Sequence, residues 1–293
     1  MHIEFEKLNG AGNDFVMIGD FFDQIHLTDE QVQWICDRHF GVGADGVIVV
    51  KPSPHPEAAG YMDYYNSDGT KAEMCGNGIR CFSKFLVDGG VIDAKSNSFV
   101  ADTLSGTKDI SIMRDADGKM SLATVNMGAP IIEGPKVPTT LDQVETEWGK
   151  AVVEQPIEID GVTYKVTCVS MGNPHAVIFV DDPLTFPVTE VGPKIETLGV
   201  FPEKTNVEFA HVDGDVITMR VWERGCGETL ACGTGCCATA VAAHMTGRAG
   251  RKVALKVLGG ELGIEWAEDA SSKLGTVMMT GPAKKAYAGS LEI

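Results

Sequence analysis

Positive charge is scarce in this sequence: 24 Lys and Arg stand against 41 Asp and Glu, a formal net charge of −17. No Lys/Arg cluster interrupts the acidic excess. Nucleic acid and anionic membrane surfaces, which both need a basic face, are therefore not expected partners. Long apolar runs are also missing. The most uniformly small and apolar stretch, Cys236-Cys237-Ala238-Thr239-Ala240-Val241-Ala242-Ala243, falls far short of the ~20 residues that span a bilayer. Met1-His2-Ile3-Glu4-Phe5-Glu6 has no basic region leading into an apolar one, so no secretory signal is read there and a cytoplasmic location is expected. The eight cysteines include no C-x-x-C pair, which argues against a zinc ribbon or a thioredoxin-like site, and they are expected to remain thiols. No G-x-x-x-x-G-K-[ST] and no G-x-G-x-x-G following a strand marks a nucleotide cofactor. A lysine serving as a Schiff base stays open.

What is present suits a globular protein. With 293 residues and 44% hydrophobic composition, the chain can bury two cores. Ile3, Phe5 and Leu8 predict a first strand, followed by a turn over residues 9–14. Thr28-Asp29-Glu30-Gln31 has capping-box spacing and predicts a helix over 28–38. Strands are expected over 47–50 and 61–65, with a helix after Cys75 through about Val87. Residues 98–127 read as strands, and 128–149, which carry Pro130, Pro135 and Pro138, as a linker or surface excursion. Further strands are expected over 162–169, 177–180, near 207 and over 217–222, with helices over 191–198 and 234–245. Strands and turns follow from 253. Short strands with one long helix per half predict an α+β fold.

The chain repeats itself. Cys75-Gly76-Asn77-Gly78 has a partner in Cys232-Gly233-Thr234-Gly235, and Asn66 precedes Cys75 by nine residues as Glu223 precedes Cys232. Gly12-Asn13 likewise returns as Gly172-Asn173 at nearly the same offset. One such turn is explained by a tight strand-to-helix connection; several landmarks in register point to a duplicated unit. A cysteine at a helix start meets unsatisfied N–H groups and the positive end of the helix dipole. Thiolate is favoured there, and adjacent glycines let a carboxylate reach the backbone. Two such positions suit inversion of a stereocentre, which needs a base on one face and an acid on the other. The helix N–H groups acting on the substrate carboxylate would stabilise the carbanion without a cofactor.

These segments together resemble the diaminopimelate epimerase family. The resemblance rests on Asn9-Gly10-Ala11-Gly12-Asn13-Asp14-Phe15, Gly41 to Gly46, Asn66 to Gly69, Glu73 to Cys81, Met171 to Val177, Thr205-Asn206-Val207-Glu208-Phe209, and Trp222 to Gly235. They run in order along the whole chain. The resemblance implies two pseudo-symmetric domains, each a mostly antiparallel sheet wrapped around a central helix, with the active site in the cleft between them. The first is expected over 1–122 with a returning tail over about 276–293, the second over 123–275. It implies conversion of LL-2,6-diaminopimelate to the meso form, in lysine and peptidoglycan precursor synthesis, with neither metal nor pyridoxal phosphate. Cys75 and Cys232 would be the acid/base pair, and His175 and Glu223 would poise them. Asn13, Asn66, Asn173, Asn206, Glu223 and Arg224 would bind substrate, with Gly76, Asn77, Gly233 and Thr234 meeting the carboxylate at the reacting carbon. The partner is a small molecule, and assembly as a homodimer is compatible with the sequence.

Arg224 makes independent sense, because a distal carboxylate needs a cation in so acidic a protein; a surface salt bridge is the ordinary fate of such an arginine. His175 alone would read as a satisfied structural histidine. Cys226 and Cys236 stand where the family would be expected to carry small residues other than cysteine. Packing on a buried helix accounts for Cys236 and Cys237 more simply than a metal cluster does. Two rivals remain: a proline, hydroxyproline or phenazine-type isomerase of the same fold, and a zinc or redox cysteine protein.

Overall fold

Ala11 (φ 55) and Gly12 (φ 83) adopt left-handed backbone conformations and fold strand His2–Gly10 back onto Asn13–Gly19, the mirror-turn geometry that tight hairpins favour. This opens the first of two units in a computed structural model describing residues 1–72, 74–269 and 272–293. Glu73, inside one of the family motifs, lies outside the described residues. The units are Met1–Asn126 with Thr280–Ile293, and Met127–Met279.

In the first unit, Lys284–Glu292 pairs antiparallel with His2–Gly10, so the C-terminal segment completes the N-terminal sheet. Asn13–Gly19 runs parallel to Gly46–Lys51, which is antiparallel to Ala58–Asn66. Ala58–Asn66 is parallel to Ser98–Thr103, and Lys108–Arg114 and Met120–Asn126 continue antiparallel. Phe15 to Ile18 and Val47 to Val50 are all fully buried, as expected of parallel strands covered on both faces. Val16, Ile18, Val47 and Val49 form one cluster with Val32 and Ile35 of helix α1 (Asp29–Cys36). The opposite face carries Phe15 and Ile48, which approach Gly78 of helix α2 (Gly76–Asp88). Helix α2 is the central element of the unit and buries Ile79, Cys81, Phe82, Leu86 and Val87.

The second unit repeats this plan. Val162–Ser170 is antiparallel to Pro174–Phe179, which runs parallel to Asn206–Asp213 and is followed antiparallel by Val216–Glu223. Val216–Glu223 then pairs in parallel with Lys252–Val257, which is antiparallel to Gly260–Asp269. Helix α3 (Val188–Glu196) covers one face through Val188, Val191 and Ile195. Helix α4 (Gly233–Met245) is the central element, buried from Gly235 through Ala243; its alanines and small residues let strands approach on all sides. The result is an α+β, sheet-dominated fold of two pseudo-symmetric units, each built around one central helix.

Local expectations fail where side chains override simple patterns. Helix α1 ends at Cys36, two residues short of the expected Arg38, because the Asp37 carboxylate accepts from the N–H groups of His39 and Phe40. The expected linker over 128–149 contains a 3-10 turn, Gly134–Lys136, and strand Val144–Thr146 pairs with Gly149–Ala151. Gln155–Ile159 is a strand the sequence reading missed; Pro156, which lacks an N–H, hid it. Helix α3 starts at Val188 rather than 191 and carries Pro193 internally. Among the described residues no helix is long and apolar enough to cross a membrane.

Candidate active site

Each unit places a cysteine as the N-cap of its central helix, with extended backbone: Cys75 at φ −131°, ψ 122°, and Cys232 at φ −118°, ψ 111°. The glycines behind each sulfur are closely approached, Gly235 more tightly than Gly78. A Cβ on Gly78 would lie 3.1 Å from Ile48 Cδ1 and 3.3 Å from Cys75 Cβ; one on Gly235 would lie 2.6 Å from Glu208 Oε1 and 3.2 Å from Cys232 Cβ.

In the first unit, Cys75 Sγ accepts from the Gly78 N–H at 3.4 Å and donates to Asn13 Oδ1 at 3.6 Å. Asn77 Nδ2 donates to the same oxygen at 3.4 Å. Asp45 fixes the orientation of Asn13 by accepting from its Nδ2 at 2.7 Å. Asp45 and Asp14 are held in turn by Arg38, and Lys7 pairs with Asp14. Behind the helix start, fully buried Arg80 donates to Gly76 O at 2.8 Å and to Asn77 Oδ1 at 2.9 Å. Cys75, Asn13, Gly76 and Asn77 therefore form one hydrogen-bonded group. Asn66 Nδ2 donates to Thr70 Oγ1 at 3.1 Å.

The second unit is built from different chemistry. His175 is fully buried, with Nδ1 at 2.6 Å from Glu208 Oε1 and Nε2 at 3.1 Å from Asn173 Oδ1. Asn206 Nδ2 donates to Pro174 O at 2.7 Å, and its Oδ1 accepts from the Arg224 N–H at 3.0 Å. The Arg224 side chain is exposed and donates to Glu203 O. Glu223 accepts from Thr229 Oγ1, and Cys232 Sγ lies 3.4 Å from Thr234 Oγ1. Burial is the largest influence on the Glu223 carboxyl and raises it; Thr229 and His175 oppose the rise and Glu208 adds to it.

At Cys232 the surroundings oppose the thiolate that a helix start favours. Burial first, then the carboxylates of Glu223 and Glu208, push this thiol well above its usual range, against smaller opposing effects of Thr234 and the Gly235 backbone. The helix start loses because only 6% of the residue is exposed, and a buried anion near carboxylates is doubly disfavoured. Burial likewise raises Cys36, to about 11. All eight cysteines are thiols, and among the described residues no His/Cys/Asp/Glu group is arranged to hold a metal.

Glu208, Arg80, Asp45 and Thr229 were not among the predicted site residues. For Glu208 the sequence offered only its place between Val207 and Phe209; that the first five residues of strand Asn206–Asp213 are buried comes from the structure.

Residues 5–133 and 167–286 match the family model described as diaminopimelate epimerase. The chain is 45% identical over 294 residues, covering all of both chains, to the diaminopimelate epimerase of Leptospira biflexa. It is 42% identical over 292 residues, 99% of each chain, to that of Acetivibrio thermocellus. Among solved structures, a phenazine biosynthesis protein of the PhzF family from Bacillus anthracis aligns with a TM-score of 0.72 at 18% identity, covering 100% of both chains. A probable proline racemase from Agrobacterium radiobacter aligns with a TM-score of 0.68 at 16% identity, covering 99% of this chain and 93% of that one. At these identities the last two share the fold. The sequence matches reach further: this chain belongs to the diaminopimelate epimerase family.

Proposed function

We propose that this protein converts LL-2,6-diaminopimelate to the meso isomer without a cofactor, with Cys75 and Cys232 exchanging protons with opposite faces of one α-carbon. One thiolate takes the α-proton, the electron pair passes into the substrate carboxylate, and the other thiol returns a proton from the far side. The roles reverse in the reverse direction. Backbone N–H groups at Gly76-Asn77 and Gly233-Thr234 receive the charge that builds on the carboxylate; fixed dipoles away from water do this more effectively than solvent. Asn13, Asn66, Asn173, Asn206, Glu223 and Arg224 hold the substrate, the guanidinium of Arg224 taking the distal carboxylate. His175 and Glu223 poise the thiols. The product enters lysine and peptidoglycan precursor synthesis in the cytoplasm, and a homodimer is the assembly to test by light scattering.

The observation that carries this reading is a cysteine N-cap on the central helix of each unit, at matching positions of the repeat. Family membership selects the substrate. The test is incubation of the purified protein with LL-diaminopimelate and separation of the stereoisomers by chiral chromatography. Wild type should produce the meso isomer, and Cys75→Ala and Cys232→Ala should each lose epimerisation by several orders of magnitude. Full activity in either variant would end the two-thiol mechanism. Racemisation of L-proline or trans-4-hydroxy-L-proline, with diaminopimelate inert, would replace the substrate.

A further inference from the structure

The repeat lets the surroundings of the two sulfurs be compared position by position. Within its sheet, Ile48 is paired with Met17 on one side and Tyr64 on the other. Glu208 is paired in the same way with Val177 and Val221. Phe15 pairs with Gly46 in the first unit as His175 pairs with Asn206 in the second. Both strand residues lie beneath the glycine of their central helix: Ile48 Cδ1 and Phe15 Cζ face Gly78, and Glu208 Oε1 faces Gly235. One helix start is therefore backed by isoleucine and phenylalanine, the other by a carboxylate and an imidazole.

The remaining charged groups sharpen the contrast. Arg80, five positions after Cys75, is fully buried and donates to Gly76 O and Asn77 Oδ1, whereas Cys237 holds the matching position after Cys232. On the Cys75 side, the neighbouring Asp14, Asp45, Lys7 and Arg38 are two anions tied to two cations. On the Cys232 side, the facing titratable groups are Glu208, Glu223 and His175. Both Glu208 and His175 have side chains with 0% exposure. Glu208 Oε2 is buried and has no hydrogen-bond partner among the described residues. A carboxylate in that position is costly to a fold, and an isoleucine at the matching position shows that the architecture does not need one.

We propose that Glu208 is a positioning residue of the acid/base pair: anchored to His175 beneath the first turn of α4, it holds Cys232 in the thiol form, so that at rest Cys232 is the acid and Cys75 the base. This rests on the two-thiol reading above. Glu208 acts in two ways. Its Oε1 takes the Nδ1 hydrogen bond of His175, which fixes the ring so that Nε2 meets Asn173. Its charge adds to burial and to the charge of Glu223 in opposing a second anion at the Cys232 sulfur. At the start of α2 the buried charge behind the helix is instead a cation, Arg80. Sequence-similar halves thereby become chemically unequal, as an acid/base pair sharing one proton requires.

The test reads each sulfur separately and needs no turnover. Full-length protein without substrate is alkylated with iodoacetamide over a pH series, and the rates at Cys75 and Cys232 are followed on their peptides by mass spectrometry. The midpoint of the rate–pH curve, unlike the rate itself, reports the ionisation of each thiol rather than the reagent's access to it. Wild type should give a lower midpoint at Cys75 than at Cys232. Glu208→Gln keeps the shape and an acceptor for His175 but removes the charge, and should lower the Cys232 midpoint by roughly one pH unit or more while leaving Cys75 in place. Glu208→Asp should stay close to wild type. A Cys232 midpoint at or below that of Cys75 in wild type overturns the proposal without recourse to any variant; so does a Cys232 midpoint unmoved in Glu208→Gln. The expected midpoints in a protein that fails to epimerise diaminopimelate would instead sink the functional reading and leave the charge asymmetry standing.

Discussion

Substituting Gly235 by alanine would drive a methyl group to 2.6 Å from Glu208 Oε1 and 3.2 Å from Cys232 Cβ. A carboxylate oxygen at the end of a flexible side chain can usually retreat. This one cannot do so freely, because Glu208 is fully buried and holds His175 Nδ1 at 2.6 Å. Displacing it sacrifices a hydrogen bond to a charged group, about 1.5–3 kcal/mol, offset by up to ~1 kcal/mol from the better helix propensity of alanine. A net loss of about 1–2 kcal/mol should lower the melting temperature of the second unit by roughly 2–8 °C at this size. Activity should suffer more than stability. The displaced carboxylate turns His175 away from Asn173, and a misplacement of that scale costs on the order of a hundredfold in kcat. Gly78→Ala provides the contrast, since its methyl meets the flexible tip of Ile48 at 3.1 Å, Cys75 Cβ at 3.3 Å and Phe15 Cζ at 3.6 Å, with no hydrogen bond at stake. Calorimetry and epimerisation kinetics on both variants decide the matter. Equal effects, or an unaltered Gly235→Ala enzyme, would refute the reasoning that Glu208 is locked against α4.

Asn206→Ala should cost about 1–3 kcal/mol, because Pro174 O and the Arg224 N–H lose their partners at a site only 4% exposed; denaturant titration reads this. Arg224→Lys should raise KM for diaminopimelate roughly tenfold with a smaller change in kcat, because an ammonium cannot form the two-pronged carboxylate contact. Asp14 is raised by burial but lowered further by Arg38 and Lys7, to about 2 from 3.8. A folded-state value below the unfolded one contributes stability that is fully present above about pH 4 and lost as pH falls toward 2. Asp14→Asn should therefore be less stable than wild type by on the order of 1–2 kcal/mol at pH 7, and the two melting curves should converge between pH 4 and 2.

The sequence displayed the repeat because cysteine and glycine at a helix start leave little freedom: Cys75 and Cys232, with the glycines three residues on, are constrained by chemistry and by space at once. The central helices were legible for the same reason, and helix α1 from its capping box, which forms between Thr28 and Gln31. Gln155–Ile159 stayed hidden because Pro156 contradicts strand propensity and only pairing with Val162–Ser170 supplies the answer. Glu208 was missed for a deeper reason. In an alternating strand a lone glutamate reads as a residue on the solvated face, and only the parallel pairing of Pro174–Phe179 with Asn206–Asp213 shows that this face is covered by α4. The charge balance around Cys232 could not be read from spacing, since Glu208, Glu223 and His175 come from three separate strands.

The central claim, that two different sulfur atoms serve one carbon, is tested most directly by the fate of the α-hydrogen in D2O. LL-diaminopimelate is incubated with the enzyme to a few per cent conversion, and both isomers are isolated for mass and NMR analysis. Two distinct groups predict a meso product carrying solvent deuterium at the inverted centre, while the unreacted LL isomer still holds its original hydrogen. Deuterium entering both isomers equally at this stage, or an inverted product that retains its hydrogen, would mean a single group works both faces and would contradict the account.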